Sequence, residues 1–172
     1  REEPAENDAS HQHEYAQFIA EEQIAALADS HEACSLYLDF PLGTNRDGFD
    51  VWRFPHLFAK DAAIGAPPDF SYGTGQNWGF PPLDPDAIRE DGYRYFAACI
   101  RHHVRHAGML RLDHVMSLHR TFWIPDGFAP HDGVYVRYAA DEFYAVLAIE
   151  SHRAKTRIIG EDLGTVPHYV RE

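Results

Sequence analysis

The sequence predicts an α/β fold, built of successive βα units on a parallel sheet. Three observations lead there. Helix-patterned and strand-patterned segments alternate in the order helix, strand, long loop, helix, strand, loop, helix, strand. Right-handed crossovers would set the three strands side by side. Each strand segment also closes on a carboxylate (Asp39, Asp113 or Glu161), and the C-terminal strand edge is where parallel α/β folds bind ligands.

Each element has its own warrant. Residues 1–10, "REEPAENDAS", are acidic and poor in apolar side chains, so a flexible lead-in is expected. Residues 13–31 are rich in Ala, Glu and Leu and read as a helix. "CSLYLDF" (34–40) is an apolar run stopped by Pro41, hence a strand. From 41 to 90 the chain is dense in Gly, Pro, Asn and Asp with no sustained period, which predicts a long functional loop. Tyr93, Phe96, Ala97, Ile100 and Val104 then recur at helical spacing, and Gly108 is expected to stop that helix. "GMLRLDHV" reads as the second strand and is followed by a Pro/Gly-rich loop through "WIPDGFAPHDG". Residues 141–153 read as a helix with Asp141 as its N-cap and Phe143, Val146 and Leu147 turned inward. "TRIIGEDLG" (156–164) is the third strand, and "VPHYVRE" opens what reads as another helix.

Composition excludes several classes. The 172 residues are 45% hydrophobic and 13% aromatic, enough for one globular core. No apolar run reaches the roughly 20 residues of a membrane span, and no signal-peptide core is present at the N-terminus. A formal charge of −12 argues against nucleic-acid partners, which require a positive surface. Aromatics beside acids suit a neutral, hydroxyl-rich ligand such as a sugar. Cys34 and Cys99 are too few for a disulfide framework and are read as reduced, favouring a cytoplasmic location. Because the chain opens on Arg1 and closes on a helix start, a segment of a longer protein is expected.

The candidate chemistry lies at the strand ends. Asp113 and Glu161 are one βαβ step apart, so adjacent strands would face them into one crevice. Two acids flanking a glycosidic bond, one nucleophile and one acid/base, are the equipment of glycoside chemistry. Arg111, two residues before Asp113, points to the same side of the strand, and its charge would hold Asp113 ionised. Glu161, beside Ile158, Ile159 and Gly160, sits where partial desolvation would suit a proton donor. The same residues also fit an ion pair that merely ties two strands together. In residues 65–85, Trp78 and Phe80 could stack on sugar faces while Asp69, Gln76 and Asn77 bond hydroxyls; a surface loop with aromatic anchors fits that stretch equally well. His102 and His106 stand at a zinc-competent i, i+4 spacing, but cationic neighbours favour a plain polar helix face, and no metal is expected. Neither a phosphate-binding loop nor a Gly-x-Ser-x-Gly elbow is present.

Four stretches, "GAPPDF…TGQNWGFPPLDP", "RLDHVMS", "FWIPDG" and "IIGEDLGTVP", together resemble the 4-α-glucanotransferases (amylomaltases, or disproportionating enzymes) of the α-amylase clan. The match runs in order from the first strand to the C-terminus. It implies a (β/α)8 TIM barrel, of which residues 1–172 would supply about strands three to five with a long substrate loop, as part of a catalytic domain. It also implies retaining transfer between maltooligosaccharides or α-1,4-glucan chains through a covalent glycosyl-enzyme, with no cofactor. On that resemblance Asp113 is the nucleophile and Glu161 the acid/base. Arg111 is the nucleophile's partner, His114 a substrate contact and Asp39 an active-site acid, while Asp69, Gln76 and Trp78 line the acceptor side. The family's third carboxylate, beside a histidine on a later strand, has no counterpart before Glu172. The isolated chain is therefore expected to be inactive or feeble, with the remainder of the barrel as its partner. An α-glucan hydrolase and a non-catalytic maltooligosaccharide-binding module remain as alternatives.

Overall fold

The structure, a computed structural model, describes residues 8–30, 35–163 and 166–171. Its elements in chain order are α1 (Asp8–Asp29), β1 (Leu36–Phe40), α2 (Phe49–Arg53), β2 (Ala62–Ala66), β3 (Gln76–Asn77) and α3 (Pro85–Glu90). They continue with α4 (Arg94–Val104), β4 (Ala107–Leu112), β5 (Arg120–Pro125), β6 (Val134–Arg137), α5 (Ala140–Ala154) and β7 (Arg157–Gly160).

The three expected strands form the parallel sheet β1-β4-β7. Its register aligns Asp39, Arg111 and Ile159 in one row and Phe40, Leu112 and Gly160 in the next. Side chains alternate between the two faces. Leu38, Phe40, Leu110, Leu112 and Ile158 therefore join the core beneath α4 and α5. The opposite face is open: Tyr37 keeps 56% of its surface and Ile159 42%. On α4, Phe96, Ile100 and Val104 are buried with Tyr93 just ahead of the helix, and α5 buries Phe143 and Leu147, as their spacing predicts. The Phe143 ring meets those of Tyr93 and Phe96 edge to face at 4.8 and 4.9 Å. Glu150 is also buried, clamped by Arg101 at 2.7 and 3.0 Å and by Arg153 at 3.1 Å.

Several expectations are corrected. α1 begins at Asp8, so residues 8–10 are helical rather than part of a flexible lead-in; residues 1–7 and Cys34 lie outside the described residues. Gly108 does not stop α4, which ends at Val104, but lies inside β4. A Cβ at Gly108 would lie 2.0 Å from that of Ser35, so glycine is what lets the chain entering β1 pass β4. Asp141 is not a cap: Ala139 holds the N-cap position without a side-chain bond, and Asp141 lies in the first turn. There its charge suits the positive end of the helix. "VPHYVRE" shows only a short 3₁₀ turn at His168–Val170.

The largest correction concerns the loops. Residues 41–90 contain α2, β2, β3 and α3, and the loop after β4 contains β5 and β6. β2, β3, β5 and β6 form an antiparallel sheet in the order β3-β2-β5-β6, with Ala63 opposite Ile124 and Gly65 opposite Phe122. α3 shows a local signal that can be read directly: Asp84 Oδ1 accepts from the N–H groups of Asp86 and Ala87 at 3.0 and 2.9 Å, and Pro85 opens the helix, an arrangement that satisfies orphan donors of the first turn.

Candidate active site

The parallel ladder continues one residue past β4 and β7. The Asp113 N–H donates to Phe40 O at 3.0 Å, the Glu161 N–H to Leu112 O at 2.9 Å, and the Val115 N–H to Glu161 O at 2.9 Å. These bonds bring Asp113 and Glu161 out of adjacent strands at the same level. Two residues back, Arg111 bridges the acids. Its Nη1 reaches both Asp39 oxygens at 2.8 and 2.7 Å, and its Nη2 reaches Asp113 Oδ1 at 2.9 Å. The hydrogen bonds to Asp39, ahead of its charge and that of Asp113, hold the guanidinium pKa above its ordinary value. Asp39 therefore holds Arg111, and Arg111 in turn touches one oxygen of Asp113. Asp113 Oδ2 accepts no hydrogen bond from the described residues.

Glu161 is held by backbone. Its Oε2 accepts from the His114 N–H at 2.8 Å and its Oε1 from the Leu163 N–H at 2.5 Å. His114 adopts φ 52, ψ 61, a left-handed conformation uncommon outside glycine. Burial pushes the His114 imidazole pKa below its ordinary value, against the pull of the Glu161 and Asp113 charges. The ring meets Trp78 edge to face at 5.7 Å, and the Trp78 Nε1–H donates to Gln76 Oε1 at 2.9 Å.

A cleft of about 270 Å³ gathers Asp69, Gln76, Trp78, His114 and Glu161, five of the eight expected site residues. Asp39, Arg111 and Asp113 do not line it; Asp39 and Arg111 share a row with Ile159 on the open face of the parallel sheet. Asp69 has work within its own loop: Oδ1 accepts from the N–H groups of Ser71 and Tyr72 at 2.8 and 2.6 Å, closing an Asx-type turn. A larger cavity, about 630 Å³, is lined by Phe40, Phe54, Phe58 and Phe96 and meets the expected site only at Asp113. We place the site at the smaller cleft, because it gathers five of the eight expected residues, Glu161 among them, where the larger cavity meets one.

The cleft also holds Tyr72, Arg120 and Tyr135, which the sequence reading missed. The Arg120 guanidinium lies 3.9 Å from the centre of the Tyr135 ring, a cation–π contact. The aromatic run "RTFWIP" carries the strand signal that could have placed Arg120, but only pairing with β2 brings it to the cleft. His102 and His106 turn away, toward Glu21 of α1, at 4.0 and 3.0 Å. Among the described residues no group of three or more His, Cys, Asp or Glu side chains could hold a metal ion. Cys99 is a free thiol, which burial pushes up to about 11. No described helix is long and apolar enough to cross a membrane.

Fold and site define a class: a parallel α/β protein whose acid-bearing strand edge opens on an aromatic cleft, the layout of α/β enzymes. Comparison with known proteins makes that class specific. The chain belongs to the 4-alpha-glucanotransferase family, whose model matches residues 1–172. A 4-alpha-glucanotransferase of Haemophilus influenzae is 44% identical over 161 residues, covering 91% of this chain and 23% of the relative. One from Mycobacterium bovis is 40% identical over 169 residues, covering 96% and 23%. The chain thus spans about a quarter of the length of these relatives. The crystal structure of amylomaltase from Corynebacterium glutamicum superposes with a TM-score of 0.88 at 33% identity, covering 99% of this chain and 25% of that one. An amylomaltase from Streptococcus agalactiae in complex with acarbose shares the fold at a TM-score of 0.83 and 24% identity, covering 92% and 34%.

Proposed function

We propose that this chain carries the nucleophile and the acid/base of a retaining 4-α-glucanotransferase, and that it works within a complete (β/α)8 barrel. The carrying observation is the register that brings Asp113 and Glu161 from adjacent parallel strands at one level. Neighbouring strands lie about 4.8 Å apart. Both carboxyls therefore start from neighbouring backbone positions, and the proposal requires them to lie the roughly 5–5.5 Å apart of retaining enzymes, not the roughly 6.5–9.5 Å of inverting ones.

The mechanism follows from the partners. Arg111 neutralises Asp39 and holds Asp113 Oδ1, leaving Oδ2 to attack the anomeric carbon of an α-1,4-linked glucose. Glu161 gives its proton to the leaving 4-oxygen as the bond from Asp113 forms. It then takes the proton of the incoming 4-hydroxyl as acceptor glucan displaces Asp113. Trp78, Gln76, Arg120 and Tyr135 wall the cleft where a maltooligosaccharide excludes water, favouring transfer over hydrolysis. No step draws on a metal or organic cofactor. The isolated chain, with one sheet face open, turns over feebly or not at all; its setting is the cytoplasm.

The test places residues 35–163 in the corresponding span of the Haemophilus influenzae relative and follows maltotriose disproportionation. We expect transfer in the exchanged protein and a loss on the order of 10³-fold or more in Asp113→Asn and in Glu161→Gln. Transfer within tenfold of the exchanged protein in either variant refutes the assignment. Robust disproportionation by the purified 172-residue chain refutes the dependence on a completed barrel.

A further inference from the structure

We infer that His114 and Trp78 are positioning residues for Glu161: the Trp78 indole holds the His114 ring, and so fixes the left-handed turn that keeps the His114 N–H on the Glu161 carboxylate. This rests on the assignment of Glu161 as acid/base, and it gives Trp78 a second task besides walling the cleft.

A run of contacts makes the chain continuous. The Glu161 Oε2 takes its bond from the His114 backbone at 2.8 Å. His114 sits at φ 52, ψ 61, which turns the chain after this peptide so that the His114 N–H meets the Glu161 carboxylate while the next N–H, that of Val115, meets Glu161 O at 2.9 Å. A non-glycine residue in this region carries strain unless its surroundings over-determine it. The Trp78 ring meets the imidazole edge to face at 5.7 Å and 79°, and Gln76 fixes the indole through Nε1 at 2.9 Å. The Trp78 N–H in turn donates to Ile64 O at 3.0 Å, which roots the indole in the antiparallel sheet. Ser117 closes the turn from the other side, its N–H reaching His114 O at 2.9 Å. The loop that would meet the sugar is thereby joined through two rings to the carboxylate that would move the proton. A sugar pressed against Trp78 acts on the orientation of Glu161 through this path.

The test is the backbone amide resonance of His114 in the ¹⁵N-labelled chain. A donor bonded to a carboxylate resonates downfield and moves upfield when that carboxylate is protonated or replaced. We expect the amide to move upfield in Glu161→Gln; an unmoved resonance there overturns the inference at its root. Trp78→Ala should lose at least half of the acid-induced displacement of this amide, whereas Trp78→Phe, which keeps a ring, should retain it. His114→Gly separates the ring from the backbone, because glycine reaches the left-handed region without strain. We expect His114→Gly to lose the displacement too, and full retention there shows that the turn alone suffices and overturns the role of the rings. If Trp78→Ala does not fold, by far-ultraviolet circular dichroism, Gln76→Ala frees the indole in place and is read the same way. The exchanged relative adds a kinetic arm: Trp78→Ala should lower kcat by tenfold or more, while a rise in KM alone marks a wall residue and overturns the positioning role. Failure of the assigned chemistry would look different, with Glu161→Gln keeping transfer while the amide response persists.

Discussion

Gly160 offers the sharpest test of how the two strand ends are packed. It precedes Glu161 and lies against Val115, the neighbour of His114. A Cβ built at position 160 would lie 2.7 Å from Val115 Cγ2, 2.9 Å from its Cβ and 3.2 Å from its Cγ1. Two of these distances fall below any ordinary carbon contact, so Gly160→Ala must displace the Val115 side chain or the backbone carrying it. Overpacking of this kind costs about 1–3 kcal/mol. Because Val115 N–H is bonded to Glu161 O at 2.9 Å, we expect the upper half of that range. Val115→Ala removes Cγ1 and Cγ2 but leaves Cβ at 2.9 Å, so the second substitution relieves the clash only in part. We expect the double variant to be more stable than the sum of the two single changes by about 1 kcal/mol, the size of coupling that touching residues show. Urea unfolding of the four proteins, with m unchanged, measures it. Simple additivity within about 0.3 kcal/mol, or a Gly160→Ala protein as stable as the parent, refutes the close approach of β7 to the turn after β4.

Three further outcomes follow from the same geometry. Gly65→Ala would put a Cβ 2.1 Å from the Gln76 carbonyl oxygen; releasing β3 should expose Trp78 and raise its acrylamide quenching in a Trp52→Phe, Trp123→Phe background, at a stability loss of about 1–3 kcal/mol. Arg111→Gln should change chain stability by less than about 1 kcal/mol, since Asp39 and Asp113 keep 61% and 41% of their side-chain surface and exposed ion pairs contribute little. In the exchanged relative the same change should cut transfer on the order of 10²-fold, the scale of losing one group that steadies a reacting centre. Acid should weaken the fold in two windows. The His114 and His119 pKa values are depressed by burial from an ordinary 6.5, so the unfolded chain protonates first and stability falls as pH drops below 6.5, a loss complete below the folded values. Glu142 and Glu150 are depressed from 4.5, chiefly by the hydrogen bonds of Tyr93 and of Arg101 respectively; their stabilisation, present above 4.5, is lost as pH falls through the folded values. The urea midpoint followed against pH reads both windows, and His114→Gln with His119→Gln should remove the first alone.

The parallel sheet was legible because its information is local. "LYLDF", "AGMLRL" and "RIIG" are apolar runs between helices of clear period, and the acids at their ends need no long-range contact to be noticed. The antiparallel sheet was not, because β2 is "AAIGA", whose small residues have weak strand preference and whose pairing with β5 spans the whole of α3, α4 and β4. Polar residues were recognised more readily than their tasks. Asp39 reads as an acid at a strand edge, but its hold on Arg111 depends on the row that β1 and β4 share. Asp69 reads as a ligand for hydroxyls, yet it builds its own turn. His114 betrays nothing in sequence of its left-handed backbone, which only the close fit of Trp78 and Glu161 around it reveals.

The pairing of β2 with β5 has a consequence for how such a protein can change. The two strands belong to different crossover segments, one following β1 and the other following β4, yet Ala62 through Gly65 are laddered to Phe122 through Pro125. Neither segment is an independent module. A segment lengthened or borrowed from a relative would meet a partner with the wrong register, and Gly65, wedged against Ile124 and Gln76, leaves no slack to absorb it. Variation here must arrive in matched pairs, so recombination between relatives should succeed when its breakpoints lie outside both segments and fail when one falls between them.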